Sequence, residues 1–473
     1  MKNIKNAFVV ALPVIALAAG CTRKEQRPDI IYILTDQQSE RMMSCAGNPY
    51  LKTPAMDYIA NNGIRFTRAY TTNPVSSPAR IGMITGRFPG CFMDKKGTQV
   101  RENAGSMDIP EVSNEVRSTT IAAFLKKAGY DLVYGGKKHL PPSLSPDSLG
   151  FKVLTLDPRD ILAQKAARFI EGEHKNPYFL MVSFINPHDI CFMAIRNSAD
   201  SAEMNNLLKN SKTELKNLDE ALQLPQGISK KQFFSEYCPP LPPNYELQKD
   251  EAKAIGALLD LVPFRRRARN EFSDEQWRMH RWAYARLTEK ADTLLQVILD
   301  ALRKSGRENS TLMIFSSDHG DNDASHKLEH KSVLYEESSN IPFLAMWKGH
   351  IPAGQVNTKD LISNGLDLLP TICDYAGIKA HSDTRGRSLR PLFEGRNVKW
   401  RKTLGIESQV GRMVVSDDSL KYVRYDLAGT EERLMDMKKD PYEKTHFTYD
   451  ESYAGQLSRL RKAFVEEWFP GVK

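Results

Sequence analysis

DIIYILTDQQ, residues 29–38, joins an apolar run to a polar end at Thr35, Asp36 and Gln37. An unbroken apolar run rich in isoleucine predicts a strand that is buried on both faces, as parallel strands in α/β proteins are. Similar runs follow at 178–184 (YFLMVSF), 310–315 (STLMIF) and 341–347 (IPFLAMW). The sequence therefore predicts one central sheet that contains these strands.

Amphipathic helical segments lie between the apolar runs. One is expected over 118–128, beginning at Ser118 and ending before Gly129, and another over 276–304, ending near Gly306. Strands that alternate with helices predict an α/β fold in which helices cover both faces of the sheet.

Two other regions depart from this rhythm. Residues 192–275 are polar, contain CPPLPPN and the basic run RRRAR (265–269), and are interpreted as a long insertion over the sheet. From about residue 400, a hairpin-like alternation and a terminal amphipathic segment predict a small α+β subdomain. The expected division is a catalytic domain over 27–395 and a C-terminal α+β subdomain over 396–473.

The composition limits the possible partners. The chain has 473 residues, of which 41% are hydrophobic and 26% charged, as is typical of a globular protein. Its formal net charge of +8 is spread along the chain rather than concentrated in a run. This pattern excludes a nucleic-acid partner and is compatible with an anionic substrate.

The N-terminus has the features of an export signal. Lys2 and Lys5 precede the short apolar stretch AFVVALPVIALAAG, and Cys21 follows it directly. We expect residues 1–20 to be a lipoprotein-type signal peptide and Cys21 to be a possible lipidation site, with ordinary signal-peptide cleavage as the alternative. The protein is thus expected to be exported, as a periplasmic or cell-surface lipoprotein that meets a membrane only through that anchor. The other five cysteines are widely spaced, and we expect free thiols.

Two apolar runs end in clusters of metal-binding residue types. The first delivers Asp36 and Gln37, and LMIFSSDHGD (312–321) delivers Asp318, His319 and Asp321. Ligands of open α/β sheets bind beyond the carboxyl ends of the strands, so both clusters are expected at one rim. Carboxylate and amide oxygens with an imidazole favour Ca²⁺ or Mg²⁺ over zinc. The alternative is that the aspartates cap helices. The presence of two such clusters at one rim favours the metal site over this alternative.

A hydroxyl and an arginine are available beside these clusters. NPVSSPARIGMITGR (73–87) offers Ser76 as a nucleophile or its precursor and Arg80 as an anion-binding group, although Ser-Ser-Pro is also a common turn. Further cationic and imidazole groups follow predicted strands or lie in loops: Lys137, His139, His188 and Lys331. Together they suit transfer of a tetrahedral oxyanion such as sulfate or phosphate.

These residues carry a family resemblance. Ser76-x-Pro-x-Arg80 followed by Thr85-Gly86-Arg87 resembles the signature of the type I sulfatases, in the alkaline-phosphatase-like superfamily. Other segments of the chain are similar to the family in the right order: residues 45–80, AGYDLVYGGKKHL (128–140), DLLPTICDYAGI (367–378), GRSLRPLFEG (386–395) and LMDMKKDPYEKTHF (434–447). The resemblance implies a large mixed, mostly parallel sheet between helices, with a small C-terminal subdomain.

The resemblance also implies the site and its cofactors. Residue 76 would be oxidised after synthesis to formylglycine, and one Ca²⁺ would be bound by Asp36, Gln37, Asp318, His319 and the modified residue. Arg80 would hold the formylglycine hydrate, whose hydroxyl attacks sulfur. Lys137, His139, His188 and Lys331 would contact the sulfate and move protons: His188 or Lys331 would protonate the leaving alcohol, and His139 would assist sulfate release.

The chain departs from the family pattern at three positions. Gln37 stands where many members have a second aspartate, which removes one negative charge from the metal shell and weakens binding. Asn340 stands where an arginine is often found, next to Ile341 and Pro342. A serine at position 76 implies a sulfatase-maturating enzyme of the serine-oxidising type as a partner.

The expected activity is hydrolysis of a sulfate ester on a carbohydrate, with a sulfated saccharide of glycosaminoglycan origin as substrate. Two alternatives remain open at this point. The first is a phosphate or phosphonate ester hydrolase of the same superfamily, which the small number of further metal ligands disfavours. The second is a catalytically inactive glycan-binding lipoprotein. The sugar and the position of its sulfate are not encoded in any motif of the chain.

Overall fold

The fold is described from a computed structural model that covers residues 27–93, 99–101, 112–196, 202–382 and 384–470. The predicted signal peptide and Cys21 lie outside these residues. The strands are β1 Asp29–Asp36, β2 Ile64–Phe66, β3 Ala69–Tyr70, β4 Asp131–Gly136, β5 Lys152–Thr155, β6 Tyr178–Pro187, β7 Thr311–Ser317, β8 Phe343–Met346, β9 Gln355–Asn357, β10 Ile362–Ser363, β11 Thr403–Ser408, β12 Gly411–Ser416, β13 Leu420–Tyr425 and β14 Glu431–Asp436.

Helices connect and cover these strands. They are α1 Pro54–Asn61, α2 Ser76–Thr85, α3 Asn114–Ser118, α4 Ile121–Lys127, α5 Asp160–Glu171, α6 Phe192–Ile195, α7 Ala202–Asn210, α8 Lys212–Ala221, α9 Lys230–Gln232, α10 Lys253–Leu261, α11 Pro263–Glu271, α12 Asp274–Lys304, α13 Glu336–Ser339, α14 Leu368–Tyr375, α15 Arg390–Phe393 and α16 Ala454–Trp468. No helix within the described ranges is long and apolar enough to cross a membrane.

The central sheet has eight strands in the order β5-β4-β6-β1-β7-β8-β2-β9. Every neighbouring pair is parallel except the two that involve β8, which runs antiparallel to both β7 and β2. The α/β fold with a large, mixed, mostly parallel sheet is thus confirmed. Strand β8 was expected among parallel strands, but it runs antiparallel to β7. The connection between them, residues 318–342, is long enough for a crossover, but it forms the rim residues, the following loop and the four-residue helix α13 instead of a long helix packed on the sheet.

Alternation along β1 divides the core into two layers. Ile30, Tyr32 and Leu34 face the layer that α2, α4 and α14 cover, whereas Ile31 and Ile33 face the layer under α1, α5 and α12. All eight residues of β1 are buried. This double burial explains the unbroken apolar run, because neither face of the strand meets solvent.

Two expected helices differ in how well their bounds were predicted. The helix expected from Ser118 begins instead at Ile121, because Thr120 caps it by accepting a hydrogen bond from the amide of Ala123, and Ser118 ends the preceding helix α3. Helix α12 begins at Asp274 behind a capping box formed by Ser273 and Gln276.

The C-terminal strands form a separate antiparallel sheet in the order β11-β12-β13-β14, covered by α16. A buried charge cluster docks this sheet on the rest of the chain. The ammonium of Lys421 on β13 lies 2.7 Å from Glu443 and 3.2 Å from Glu336 of α13, and Lys421 is fully buried. Tyr70 and Asn340 donate hydrogen bonds to Glu336. Asn340, at the position where the family resemblance led us to expect arginine, thus supports this docking cluster.

Candidate functional site

Four neighbouring strands deliver polar residues to one rim of the central sheet. Asp36 ends β1 and pairs in register with Pro187 of β6, so that His188 follows immediately beside it. Thr35 pairs with Ser317 of β7, which places Asp318 and His319 next to Asp36. Strand β4 ends at Gly136, opposite Ser183, and Lys137 follows. The rim predicted from the sequence is therefore present, because parallel strands end on the same side of the sheet.

Helix α2 brings a hydroxyl and a guanidinium to this rim. The chain is extended at Val75 and becomes helical at Ser76, and Arg80 lies one turn later on the same side of the helix. Arg80 is 1% exposed. Its Nη2 lies 2.9 Å from Asp36 Oδ2, its Nε 2.9 Å from Asp318 Oδ2, and its Nη1 donates to Ser183 Oγ at 2.7 Å. Arg80 thus ties both carboxylates to α2.

The hydroxyl of Ser76 lies between acidic, basic and imidazole groups. Its Oγ is 2.9 Å from Nε2 of His319, 3.3 Å from Nζ of Lys331 and 3.4 Å from Oδ1 of Asp36. Lys137 lies on the other side of Asp36, with its Nζ 2.7 Å from Oδ2. A reacting atom at position 76 would therefore meet both a cation and a metal-type ligand within hydrogen-bonding distance.

Asp36 and Asp318 have opposite pKa shifts. Burial raises the pKa of Asp36, but the charges around it, Lys137 foremost, outweigh burial and hold that pKa well below its usual range. Burial and the neighbouring charge of Asp36 raise the pKa of Asp318 to about 7, although Arg80 lowers it. Two buried carboxylates that cannot easily ionise together are a place where an added cation is stabilising.

His139 and His188 are uncharged at neutral pH. Burial, together with the positive charge of Lys137, lowers the pKa of His139 to about 3 and that of His188 well below its usual value. Neither Nδ1 has a hydrogen-bond partner among the described residues. These imidazoles are therefore free to form a hydrogen bond with a bound molecule.

One group of metal-type ligands occurs in the described parts of the chain. Single ligand atoms of Asp36, Asp318 and His319 lie within 4.8 Å of one another, and all three residues are buried. His319 Nδ1 lies 2.9 Å from the carbonyl oxygen of Gly320, and a proton on Nδ1 leaves Nε2 free to act as an acceptor or ligand. Two carboxylates with an imidazole nitrogen fit a divalent cation. The mutual repulsion of the two carboxylates, which raises the pKa of Asp318, supports the same conclusion.

Gln37 is held in one orientation by Asp321, which the sequence grouped with the metal-type residues Asp318 and His319. Gln37 has a positive φ of 71°, and its Nε2 donates to Asp321 Oδ2 at 2.7 Å. Its Oε1 accepts from Nζ of Lys331 at 3.0 Å and from Sγ of Cys191 at 3.1 Å. Because the amide nitrogen must face Asp321, the amide oxygen faces the site.

Lys331 reaches the site from a strained loop, residues 322–332, called here the Lys331 loop. The loop contains six non-glycine residues with positive φ: Asp323, Ala324, His326, Lys327, His330 and Ser332. Each left-handed residue costs about 1 kcal/mol relative to a relaxed backbone. At its end, the amide of Ser332 donates to the carbonyl of Pro74, two residues before Ser76, at 3.0 Å. The loop and the start of α2 are thus joined directly.

The structure brings the predicted site residues together. Asp36, Gln37, Ser76, Arg80, Lys137, Asp318, His319 and Lys331 are linked by the contacts above, and His139 and His188 lie within electrostatic range of Asp36 and Lys137. Their individual roles stay predictions. Sequence reasoning missed Ser183 and Tyr284, whose hydroxyls donate to a site residue or receive from one. Ser183 has a visible signal, since it is the polar residue inside the apolar run of β6.

The chain is similar to known proteins along most of its length. The family model described as Sulfatase matches residues 28–151 and 145–378, and the model described as N-sulphoglucosamine sulphohydrolase, C-terminal, matches residues 324–468. The chain is 25% identical to a Delta 4,5-hexuronate-2-O-sulfatase of Bacteroides thetaiotaomicron, over 97% of this chain and 92% of that protein. It is 27% identical to an N-acetylglucosamine-6-O-sulfatase of the same organism, over 98% and 90%.

A solved structure shares the fold. A structure described as a 2-O GAG sulfatase superimposes with a TM-score of 0.76 at 24% identity, covering 94% of this chain and 92% of that one.

Proposed function

The chain belongs to the sulfatase family and is a sulfuric ester hydrolase, and from that premise we propose that it removes sulfate from a sulfated saccharide of the glycosaminoglycan type. The proposal includes oxidation of Ser76 to formylglycine and one bound Ca²⁺. The observation that carries it is the position of Ser76 Oγ, 2.9 Å from His319 and 3.3 Å from Lys331, beside a buried carboxylate pair.

Each cationic group has a separate task in this proposal. Arg80 and Lys137 each lie within 3 Å of Asp36, so they fix the charge that faces residue 76. Arg80 holds the formylglycine hydrate in this proposal, and Lys137 contacts the sulfate oxygens. When present, the formylglycine hydrate supplies an oxygen nucleophile and Ca²⁺ stabilises its negative charge. Lys331, whose Nζ lies 3.3 Å from Ser76 Oγ, holds the proton that the leaving alcohol takes.

His139 and His188 carry no positive charge at neutral pH in the substrate-free protein. The pKa of His188 and that of His139 are lowered, first by burial and then by Lys137, so neither is present as an imidazolium that could protonate the leaving group. We therefore assign protonation of the leaving group to Lys331 rather than His188. His139 is assigned to assist sulfate release, because a bound anion favours the protonated imidazole more than the substrate-free site does.

A panel of sulfated mono- and disaccharides tests the proposal. Both relatives described above are named for a sulfated sugar, which supports a saccharide substrate. We expect at least one sugar sulfate to be hydrolysed, with kcat/KM at least about 100-fold above that of the matched phosphate ester. The reason is charge: a phosphate monoester carries more negative charge than a sulfate ester, and the described residues offer only one group of metal-type ligands to balance it.

The same panel contains the outcomes that would contradict the proposal. A phosphate or phosphonate ester turned over faster than its sulfate counterpart would establish the alternative hydrolase. Binding of sulfated saccharides without any turnover by protein whose Ser76 is shown by mass to be oxidised would establish the inactive glycan-binding alternative. Ion chromatography of released sulfate, phosphate and phosphonate measures turnover, and calorimetric titration measures binding.

Replacing Asp321 with asparagine is expected to weaken Ca²⁺ binding about 10- to 100-fold. Oδ2 of Asp321 accepts from Gln37 and from the amide of His330 at 3.1 Å, and Oδ1 accepts from the amide of Asp323 at 2.7 Å. An asparagine NH₂ group would meet a backbone N–H in either orientation, so the orientation of Gln37 would be lost. The dependence of the thermal unfolding midpoint on Ca²⁺ concentration measures the change without relying on activity.

Asp300→Asn is the matched control, because Asp300 lies exposed on α12 and contacts Gln296 and Arg303 there. If Asp321→Asn binds Ca²⁺ as tightly as this control, the proposed orienting role of Asp321 is wrong.

Export and maturation complete the proposal. We propose that residues 1–20 direct export, that Cys21 carries a lipid, and that a serine-oxidising sulfatase-maturating enzyme acts on Ser76. Membrane fractionation of the wild-type protein beside Cys21→Ala tests the anchor, which a fully soluble wild-type protein would contradict.

A further inference from the structure

The basic run RRRAR is not a solvated surface patch. It lies on α11, where Arg265 is 8% exposed and the side chain of Arg269 is likewise 8% exposed. Nη1 of Arg265 donates to the carbonyl of Lys331 at 2.8 Å, and Nη2 of Arg269 donates to the carbonyl of His326 at 3.0 Å. Both arginines therefore hold the backbone of the Lys331 loop from outside it.

The Lys331 loop needs such external support. Its six left-handed residues are each less stable than a relaxed backbone, so the loop does not adopt this shape by local preference. Inside the loop, the amide of Asn322 donates to the carbonyl of His330 and the amide of Ala324 to that of Leu328. Neither of these bonds involves Lys331 itself. The peptide unit that follows the Cα of Lys331 is held at both ends: its carbonyl accepts from Arg265, and its N–H, that of Ser332, donates to Pro74. The contact with Arg265 is the one of these that a side-chain substitution can remove.

We propose that Arg265 is a positioning residue that fixes the backbone of Lys331, so that Nζ stays at Ser76 and at the oxygen of Gln37. The proposal rests on the role assigned to Lys331 in the proposed function. The insertion at 192–275 then acts as a frame for the Lys331 loop: Asn244 contacts His326 there, and α11 contacts the carbonyls of His326 and Lys331.

The environment of Arg265 supports this role. Burial lowers the pKa of Arg265 to about 10, although the nearby Cys191 and Asp321 raise it. Its nearest carboxylate is that of Glu329, with Nε and Oε1 4.0 Å apart. A buried guanidinium with one distant ion-pair partner is costly to keep, and an apolar side chain of similar length would fill the same volume. What the guanidinium adds is the hydrogen bond to Lys331.

The test is a double-mutant cycle between Arg265→Met and Lys331→Ala in the full-length, matured enzyme. We expect Arg265→Met alone to lower kcat/KM about 10- to 100-fold, because a small displacement of a reacting group has an effect of that size. In the Lys331→Ala background, the same substitution is expected to change kcat/KM less than about twofold. Arg265→Lys, which keeps one donor, is expected to retain an intermediate rate.

Arg266→Met is the matched control on the same helix. Arg266 donates to the carbonyl of Gly256 and pairs with Asp260, both on α10. Among the described residues it forms no hydrogen bond or ion pair with the Lys331 loop. Hydrogen exchange gives a second readout: amides of residues 323–332 are expected to exchange faster in Arg265→Met and at the wild-type rate in Arg266→Met. This readout remains available even where Arg265→Met lowers overall stability.

Two results overturn the proposal, and they differ from failure of the proposed function. Equal losses from Arg265→Met with and without Lys331 would show a merely structural role. Unchanged exchange in residues 323–332 would show that Arg265 does not hold the loop. If Lys331→Ala itself keeps wild-type activity, the role of Lys331 in the proposed function is wrong, and the positioning proposal falls with it.

Discussion

Ser76→Ala is expected to lower desulfation at least about 10⁴-fold, because the variant lacks the atom that becomes the nucleophile. Ser77→Ala is expected to stay within about threefold of wild type. Ser77 is buried, but its hydroxyl has no hydrogen-bond partner among the described residues, so its removal breaks no interaction. The neighbouring serine is therefore a control that shares the helix, the burial and the chemistry of the substitution.

Release of sulfate from a sugar sulfate by the two purified variants measures this difference. A peptide mass over residues 73–87 shows in parallel whether the wild-type side chain has lost two hydrogens, as oxidation of a serine to formylglycine requires. Activity in Ser76→Ala, or loss of activity in Ser77→Ala alone, would reject Ser76 as the origin of the nucleophile.

Lys421→Met is expected to destabilise the protein by about 3–5 kcal/mol, the usual effect of removing one partner from a buried ion pair. The substitution leaves the carboxylates of Glu336 and Glu443 buried beside each other without their shared cation. Burial raises the pKa of Glu443 to about 7 even though Lys421 lowers it. Without the ammonium of Lys421, the charged form of this carboxyl is destabilised further. Urea unfolding followed by tryptophan fluorescence measures the change.

Arg424→Met on the same strand is the control, because Arg424 is exposed and is expected to contribute less than about 0.5 kcal/mol. The double variant Lys421→Met with Glu443→Gln should recover part of the loss by removing one uncompensated charge. If Lys421→Met unfolds at the same urea concentration as Arg424→Met, the docking cluster does not stabilise the fold.

The central sheet and its rim were predictable because both depend on local sequence. Strands β1, β6 and β7 are buried on two faces, so their apolar runs stand out without any alignment. Parallel strands end at one rim, and the residues that follow β1 and β7 therefore meet whatever the rest of the chain does. The start of α2 was predictable in the same way, because Pro78 lies in the first turn of the helix, where proline is tolerated.

The unpredicted features depend on contacts between distant segments. The direction of β8 is set by how the chain returns from the Lys331 loop, which no residue of β8 records. The burial of Arg265 could not be predicted either, because a run of arginines reads the same whether it is exposed to solvent or packed against another segment of the chain. Asp321 was recognised as a metal-type residue, but its bond to Gln37 joins positions 284 residues apart.

The burial of Ser76 fixes the order of events during the life of the chain. All ten residues of α2 are buried, and Ser76 lies beneath the groups that surround it at the rim. An enzyme that oxidises this side chain has to bind the surrounding peptide in its own active site, which the folded chain does not permit. The oxidation proposed here must therefore precede folding, and a molecule that folds first remains inactive however much maturating enzyme is supplied afterwards.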